Sequence, residues 1–499
     1  MQDGLPLAAV DLGSNSFRLE IGRFDTDGRL QRIQYLKETV RLGGGLDASG
    51  RISLEAMQRG WDCLARFGER LGEFAPGQVR AVATQTLREA TNRAEFIERG
   101  ARLLGFPIDV VSGPEEARLI YQGVAHLLPP SEERRLVVDV GGRSTELILG
   151  RGLVSAAVAS FPVGSVAWSQ QYFPNGRFTT EAFARAEVAA QAVLDEALQV
   201  FGRGAWDVAY GSSGTAGAVG SLAAMLGLPV GTISGAGLQA LKAMLLQAKT
   251  IDGLRLEGIK EDRKPVIGGG VAVLCAVFDL LDIDEMQVAQ GALRQGALYD
   301  LLDREQPNTD LRAASVDALA RRFQVDETQA DRVSRVAAAL HRNLQPEAAA
   351  DHAEREARKL RWAARLHEVG CLVAHDDAHK HGAYILANAD APGFSVPELE
   401  RLSELVLAQR GKLRKVEDSL TDDGFARQVL SLRLAVALCH ARREPDLTDL
   451  RLAPSKNGTG WSLAWSNSWE KQHPQSAHLL REESQAWMKT ERSLSVAGN

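Results

Sequence analysis

One feature limits what this chain can fold into more than any other: a twelve-residue pattern that occurs twice. Asp11-Leu-Gly-Ser-Asn-Ser-Phe-Arg-Leu-Glu-Ile-Gly22 and Asp139-Val-Gly-Gly-Arg-Ser-Thr-Glu-Leu-Ile-Leu-Gly150 carry Asp, Gly, Ser, Leu and Gly at the same offsets. Each copy follows an apolar run (Leu7–Val10; Leu136–Val138) and continues into an alternating one. A strand, a tight Gly/Ser turn and a second strand make a β-hairpin with an Asp where the first strand ends. A repeat of this kind implies two lobes of like design, their turns facing each other across a cleft.

The turns have chemistry of their own. Gly13-Ser14-Asn15-Ser16 and Gly141-Gly142-Arg143-Ser144-Thr145 put small residues where successive backbone N–H groups can point into a concavity, which makes a phosphate cradle. Asp11 and Asp139, at the strand ends, suit Mg²⁺, directly or through water. Asp-x-Gly is also ordinary turn chemistry, an explanation that weakens when the motif recurs. A third loop, Gly211-Ser212-Ser213-Gly214-Thr215, follows the strand-like Val208–Tyr210 and leads into a helical stretch. It reads equally as an anion site at a helix N-terminus and as a plain helix entry.

Ser112-Gly-Pro-Glu-Glu opens a helix: Ser112 and Glu115 match a capping box, with Pro114 in the first turn. That explains Glu115 and leaves Glu116 free to take a proton from water attacking a phosphorus. Glu146, seven residues past Asp139, either projects into the same cleft or is a solvated strand residue. Arg88 ends Thr84-Gln-Thr-Leu-Arg88, just beyond the strand-like Val79–Ala83. Its fork of donors can grip a terminal phosphate, or it forms a surface salt bridge.

Beyond Leu301 the texture changes. A polar break, Arg304–Asp310, carries Pro307, and Ala313–Ala435 then reads as helix after helix. Past Pro445, short alternating runs split by Asn457-Gly458 signal a hairpin. The expected organisation is an α/β pair, 1–124 and 125–303, an all-α domain, 310–444, and a small mixed domain, 445–499. Four scattered cysteines, Cys63, Cys275, Cys371 and Cys439, fit a reducing compartment. Met1–Leu7 lacks a secretory leader, and the longest uncharged run, Pro265–Phe278, falls short of the roughly 20 residues of a membrane span. A cytoplasmic protein with no membrane span is expected. A net charge of −6 argues against nucleic acid, which needs a broad basic surface; a small or linear polyanion would have to meet local charge, backbone N–H groups and a metal.

These motifs together resemble the exopolyphosphatase / guanosine pentaphosphate phosphatase family of the actin and sugar-kinase superfamily. The resemblance runs through AAVDLGSNSFRLEIG, ATQTLREA, SGPEEARLIYQGVAH, VVDVGGRSTELILG, YGSSGTAG and QGALRQGALYDLL. It implies two ribonuclease H-like lobes, a helical domain related to HD phosphohydrolases and a small α+β C-terminal domain. It also implies Glu116 as catalytic base, Asp139 and Glu146 as acidic metal and catalytic positions, and Arg88 as a phosphate-gripping arginine. Gly13–Ser16 and Gly141–Thr145 fall on the family's phosphate loops. Mg²⁺, with K⁺ as a candidate activator, and a homodimer follow from the same likeness. Three positions depart from the pattern. Arg143 stands where a third glycine is usual, at a cost of about 1 kcal/mol if φ must be positive there. Gln295 replaces a common Glu, and Glu368 follows His367 where a metal-binding HD domain needs Asp. The last change, despite His375, His379 and His381, predicts a helical domain without metal.

The function expected on these grounds is exopolyphosphatase, which removes terminal phosphates from inorganic polyphosphate. The alternative is removal of the 5′ γ-phosphate of guanosine pentaphosphate, or both activities. A polyphosphate- or nucleotide-binding regulator with weak catalysis is the reading from another class. The densest basic run, Arg410-Gly-Lys-Leu-Arg-Lys415, either lines a channel for a long polymer or is a solvated loop.

Overall fold

The computed structural model describes residues 4–25, 28–254, 261, 263–304, 310–344, 350–455 and 460–498. The chain divides into two compact units at Asp310/Leu311.

The first unit holds two sheets. One contains β1 (Leu7–Leu12), β2 (Phe17–Phe24), β3 (Leu30–Glu38), β4 (Val79–Ala83) and β5 (Ile108–Val110), in the order β3-β2-β1-β4-β5. The other contains β6 (Arg134–Val140), β7 (Thr145–Arg151), β8 (Val154–Phe161), β9 (Val208–Ser212), β10 (Thr232–Ser234) and β11 (Glu285–Val288), in the order β10-β11-β9-β6-β7-β8. With the edge strand β10 set aside, β8-β7-β6-β9-β11 repeats the first sheet strand for strand. In both, the opening hairpin is antiparallel and the strands on its other side run parallel.

The sequence repeat sits at the centre of each sheet. Asp11 pairs with Arg18 across β1 and β2, and Asp139 pairs with Glu146 across β6 and β7. The glycine that closes each copy lies at a β-bulge, Ile21/Gly22 in one sheet and Leu149/Gly150 in the other. The extra residue bends the strand there. Gly150 has a second constraint, since a Cβ on it would fall 2.2 Å from the Tyr121 ring.

β1 and β6 are buried almost throughout, as central strands covered on both faces must be. Separate apolar clusters support the lobes: Phe17, Trp61, Phe67 and Phe96 in the first, Phe173, Phe178, Phe183 and helix Ile267–Leu281 in the second. The segment Lys264–Leu281 is long and apolar enough to cross a membrane, and most of it is buried in the second lobe.

The described residues of the second unit form helices between Leu311 and Leu438 and end in a sheet of β12 (Arg451–Pro454), β13 (Gly460–Trp465) and β14 (Ser493–Gly498). β12 and β13 are antiparallel, while Asn457-Gly458 and Pro307 lie outside the described residues. The change of texture near residue 445 is a change of secondary structure and not of core. Trp461, Trp465, Trp469 and Trp487 share one apolar cluster with Leu360, Val406 and Leu430 of the helices. A buried pair reinforces this, Arg433 Nη2 donating to Glu483 Oε2 at 2.8 Å.

Around the expected HD-type pair, His367 Nδ1 lies 2.7 Å from Ala364 O in the helix that precedes it, while Glu368 accepts from Arg442 at 2.7 Å. Lys415 Nζ lies 3.4 Å from His379 Nε2. Among the described residues no three His, Cys, Asp or Glu converge to hold a metal.

Candidate active site

A cavity of about 400 Å³ opens between the two sheets of the first unit. The Gly13–Ser16 turn lines it from one lobe; Gly141, Gly142 and Ser144 line it from the other. The turns abut, because a Cβ on Gly142 would come within 2.8 Å of Ser14 Cβ. Thr86 Oγ1 donates to Ser14 Oγ at 2.7 Å and holds the first turn in place. Ser213, Gly214 and Thr215 of the third loop add to the wall. Ser213 has φ 92°, a left-handed conformation that a non-glycine residue adopts at a cost of about 1–3 kcal/mol. Its Oγ accepts from the N–H groups of Thr215 and Ala216 at 3.1 and 3.2 Å, which fixes the helix entry behind it.

Glu116 stands in the wall at the first turn of helix Gly113–Ala125. Ser112 caps this helix, its Oγ accepting from Glu115 N–H at 3.3 Å. Arg88 Nη1 donates to Glu116 Oε2 at 3.0 Å and to Val111 O at 2.7 Å, while Arg88 Nε donates to Gln85 Oε1 at 3.0 Å. Arg88 thus holds the carboxylate and does not itself line the cavity. Burial pushes Glu116 up to about 7 against the pull of Arg88, and the charges of Asp139 and Asp11 add to the rise.

Asp139 lines the cavity and burial pushes it up to about 6, against Ser212, Arg18 and Arg294. Glu146 lies opposite it, 1% exposed and behind the wall, with Ser160 Oγ donating to its Oε1 at 2.8 Å. Its other oxygen, Oε2, is buried with no hydrogen-bond partner among the described residues. Burial, then Glu116 and Asp139, raise Glu146 well above the ordinary carboxylate range. Asp11 is differently placed. Arg18 Nη1 donates to it at 2.9 Å, and Arg294 Nη1 lies 3.6 Å away.

Several residues named from the sequence face elsewhere. Thr145 is fully buried with its hydroxyl on Val163 O at 2.6 Å, and Ser212 donates to Gly291 O at 3.1 Å. Gly211 packs against Met286. Arg143 Nε donates to Glu89 Oε2 at 2.9 Å, bridging the lobes instead of reaching the cavity. Its φ is not positive, so the strain expected of a non-glycine there does not arise. Glu115 does not complete a capping box: its carboxylate accepts from Arg118 at 2.8 Å.

Other groups were not foreseen. Arg18, Lys37, Arg263 and Arg294 line the cavity beside Tyr35, and the four cations supply the local positive charge that a net-acidic chain needs. Arg18 was visible inside the repeat, at the position Glu146 occupies in the other copy. Gln295 now has a reason as well. Its Nε2 donates to the buried Glu20 Oε2 at 2.6 Å, where a carboxylate would meet a carboxylate.

Two matching lobes with glycine-serine turns abutting over a polar cleft define the actin-like fold class. A model of the Ppx/GppA phosphatase family matches residues 23–305, and one of the Ppx/GppA phosphatase domain III matches 311–484. A guanosine-5′-triphosphate,3′-diphosphate pyrophosphatase of Vibrio cholerae is 38% identical over 442 residues, covering 88% of each chain. Its counterpart in Vibrio atlanticus is 37% identical over 480 residues, covering 96% of this chain and 95% of the relative. Among solved structures, an exopolyphosphatase from Cytophaga hutchinsonii aligns with TM-score 0.54 at 25% identity, over 60% of this chain and 98% of its own. The Aquifex aeolicus PPX-GPPA enzyme aligns with TM-score 0.50 at 26% identity, over 59% and 98%. The chain belongs to the Ppx/GppA phosphatase family, and so to the hydrolases of phosphoanhydride bonds.

Proposed function

We propose that this protein removes the terminal 5′-phosphate of guanosine pentaphosphate. The observation that carries the chemistry is Glu116, a buried carboxylate in the cavity wall, aimed by Arg88 and pushed up to about 7. A water oxygen attacks the terminal phosphorus, its proton passes to Glu116, and the bridging P–O bond breaks with its electrons on the departing oxygen. Orthophosphate and guanosine tetraphosphate are the products. Backbone N–H groups of the abutting turns, with Arg18 and Arg294, would bear the charge on the phosphoryl oxygens. The nucleotide substrate is preferred because the pyrophosphatases from two Vibrio species match nearly the whole chain, both units included.

Mg²⁺ fits Asp139 and Glu146: the orphaned Glu146 Oε2 and the raised Asp139 are carboxylates in need of a cation. Asp11, already offset by Arg18 and Arg294, is the weaker ligand of the set. Mg²⁺ takes one or two carboxylates with water and substrate phosphates, so a three-residue cage is not required. When bound it would neutralise charge on the phosphate oxygens. Exopolyphosphatase is the second reading, favoured by four cavity cations, Arg18, Lys37, Arg263 and Arg294, that do not depend on a base.

The deciding experiment is a set of initial rates on guanosine pentaphosphate and long polyphosphate with Mg²⁺, for the native protein and Glu116→Gln. Faster turnover of the nucleotide, with a kcat loss of ~10²-fold or more in Glu116→Gln, is expected. Faster turnover of the polymer reverses the preference. Unchanged kcat in Glu116→Gln removes the proposed base.

A further inference from the structure

Beside Glu116, but outside the cavity, lies a buried charge network with no part in the chemistry above. Arg80, Glu115, Arg118 and Asp300 are exposed by only 3%, 2%, 6% and 3%. Arg118 donates from Nε and Nη2 to the two oxygens of Glu115, each at 2.8 Å, and from Nη1 to Gln122 Oε1 at 2.9 Å. Its Nη2 also meets Asp300 Oδ1 at 2.5 Å. Asp300 pairs with Arg80 and accepts from Arg304 Nε at 2.8 Å. Arg80 Nη2 lies 3.7 Å from Glu115 Oε1.

The network joins three elements that meet between the lobes. Arg80 is on β4 of the first lobe. Helix Gly113–Ala125, which carries Glu115, Glu116 and Arg118, leads from β5 to β6 and so from one lobe to the other. Helix Leu293–Arg304 follows β11 of the second lobe and packs back on β1 and β4 of the first. It carries Asp300 near one end and Arg294 at the other. The two helices also touch backbone to backbone: a Cβ on Gly296 would lie 1.7 Å from Leu119 O, and one on Gly123 2.0 Å from Ala292 O. Glycine contact sets their separation, and the ion network sets their register. Glu116 in the cavity wall and Arg294 beside Asp11 are thereby held at a fixed spacing.

Buried charges are a costly way to achieve packing alone, since apolar side chains of the same volume often stabilise as well or better. What directional, bidentate charge pairs give is a defined geometry.

We propose that Arg118 and Asp300, with Glu115 and Arg80, form a positioning device that keeps Glu116 aligned with the phosphate bound near Arg294. The inference rests on Glu116 as the base. Displacing a reacting group by about 1 Å can cost ~10²-fold in rate. Phosphate binding is shared among two turns and several cations, so it should suffer less.

The experiment compares Asp300→Asn, Arg118→Lys, Val124→Ala and Glu116→Gln on guanosine pentaphosphate, with kcat, KM and Tm for each. Asp300→Asn keeps the shape and removes the charge. It should lower kcat at least ~10-fold with KM within ~3-fold, the pattern of a lost transition-state alignment. Arg118→Lys keeps charge without the fork and should fall between it and the native protein. Val124, 1% exposed on the same helix and outside the network, supplies the control. Its alanine variant, at comparable loss of Tm, should keep kcat within ~2-fold. Equal kcat losses at equal Tm in Asp300→Asn and Val124→Ala would overturn the proposal, while full turnover in Glu116→Gln would overturn the reading it rests on. If Asp300→Asn does not fold, Arg118→Lys decides: native Tm with reduced kcat supports positioning, and native kcat refutes it.

Discussion

The two lobes of the first unit share strand order, bulged glycine and strand-end aspartate, yet carry opposite charge at one paired position. In the first lobe Asp11 faces Arg18, an ion pair at 2.9 Å. In the second, Asp139 faces Glu146, two acids on neighbouring strands. Like charges directly opposite in a sheet are destabilising, so the second arrangement is not one that folding alone would favour. On one scaffold used twice, the change of sign at this position separates an ion-paired hairpin from an acidic one. The first hairpin neutralises its own carboxylate with Arg18, which also lines the cavity. The second leaves two carboxylates waiting for a proton or a metal.

The sharpest way to break this contrast is Glu146→Gln. Turnover should fall ~10²-fold, because the proposed metal loses a ligand. Stability should move the other way. Asp139 is raised to about 6 and Glu116 to about 7, with Glu146 raised too. A carboxyl raised by folding holds its proton more tightly in the folded chain, so stability falls as pH climbs from the ordinary range, near 4, through the folded value. The metal-free protein should therefore lose Tm between about pH 4 and 7. Glu146→Gln should flatten that decline and raise Tm at pH 8, and added Mg²⁺ should raise the Tm of the native protein more than that of the variant. A native decline that Glu146→Gln leaves unaltered would argue that burial does not strain this carboxylate.

Arg18→Gln tests the other half. KM for guanosine pentaphosphate should rise ~10-fold and its dependence on salt should weaken, with kcat changed far less. An equal loss in kcat would make Arg18 part of the chemical step and erase the contrast between the two hairpins.

The smallest effect is expected in the second unit. Arg410, Lys412, Arg414 and Lys415 are all exposed, apart from the half-buried contact of Lys415 with His379. Neutralising the four should raise KM for long polyphosphate at modest ionic strength and leave guanosine pentaphosphate unaffected. If both substrates change alike, or neither does, the run is a solvated loop.

How much of this was legible in the sequence depended on whether a residue's role is local. The repeated Asp, the turns and the closing glycine recur because one backbone geometry demands them twice, and the sequence displayed that demand directly. Thr145 was assigned to the cradle although it adjoins Glu146 on β7, and neighbouring strand residues point to opposite faces. Alternation could have excluded it. Arg18 was overlooked because it matched its own lobe's needs and not the repeat's shared letters. Tyr35, Lys37, Arg263 and Arg294 come from distant segments, and only the fold gathers them. Glu115 shows the limit of a local rule: the S-x-x-E spacing is genuine, Ser112 caps the helix, and the glutamate is nevertheless drawn into contact with Arg118 by a tertiary network. The stretch around 444/445 shows the same limit. A switch from helices to strands is visible in the sequence, while the packing that joins them in one core is not.

That shared core affects how the molecule can be observed. Of eight tryptophans, Trp362, Trp461, Trp465, Trp469 and Trp487 lie buried in the second unit, and Trp61, Trp168 and Trp206 in the first. None of the eight lines the candidate cavity. Intrinsic indole emission is therefore weighted towards the unit that does not hold the site, and a substitution that loosens the lobes can leave most of the signal in place. A fluorescence melt of an active-site variant reports chiefly on the helical half, and the health of the lobes has to be read with a probe placed in them.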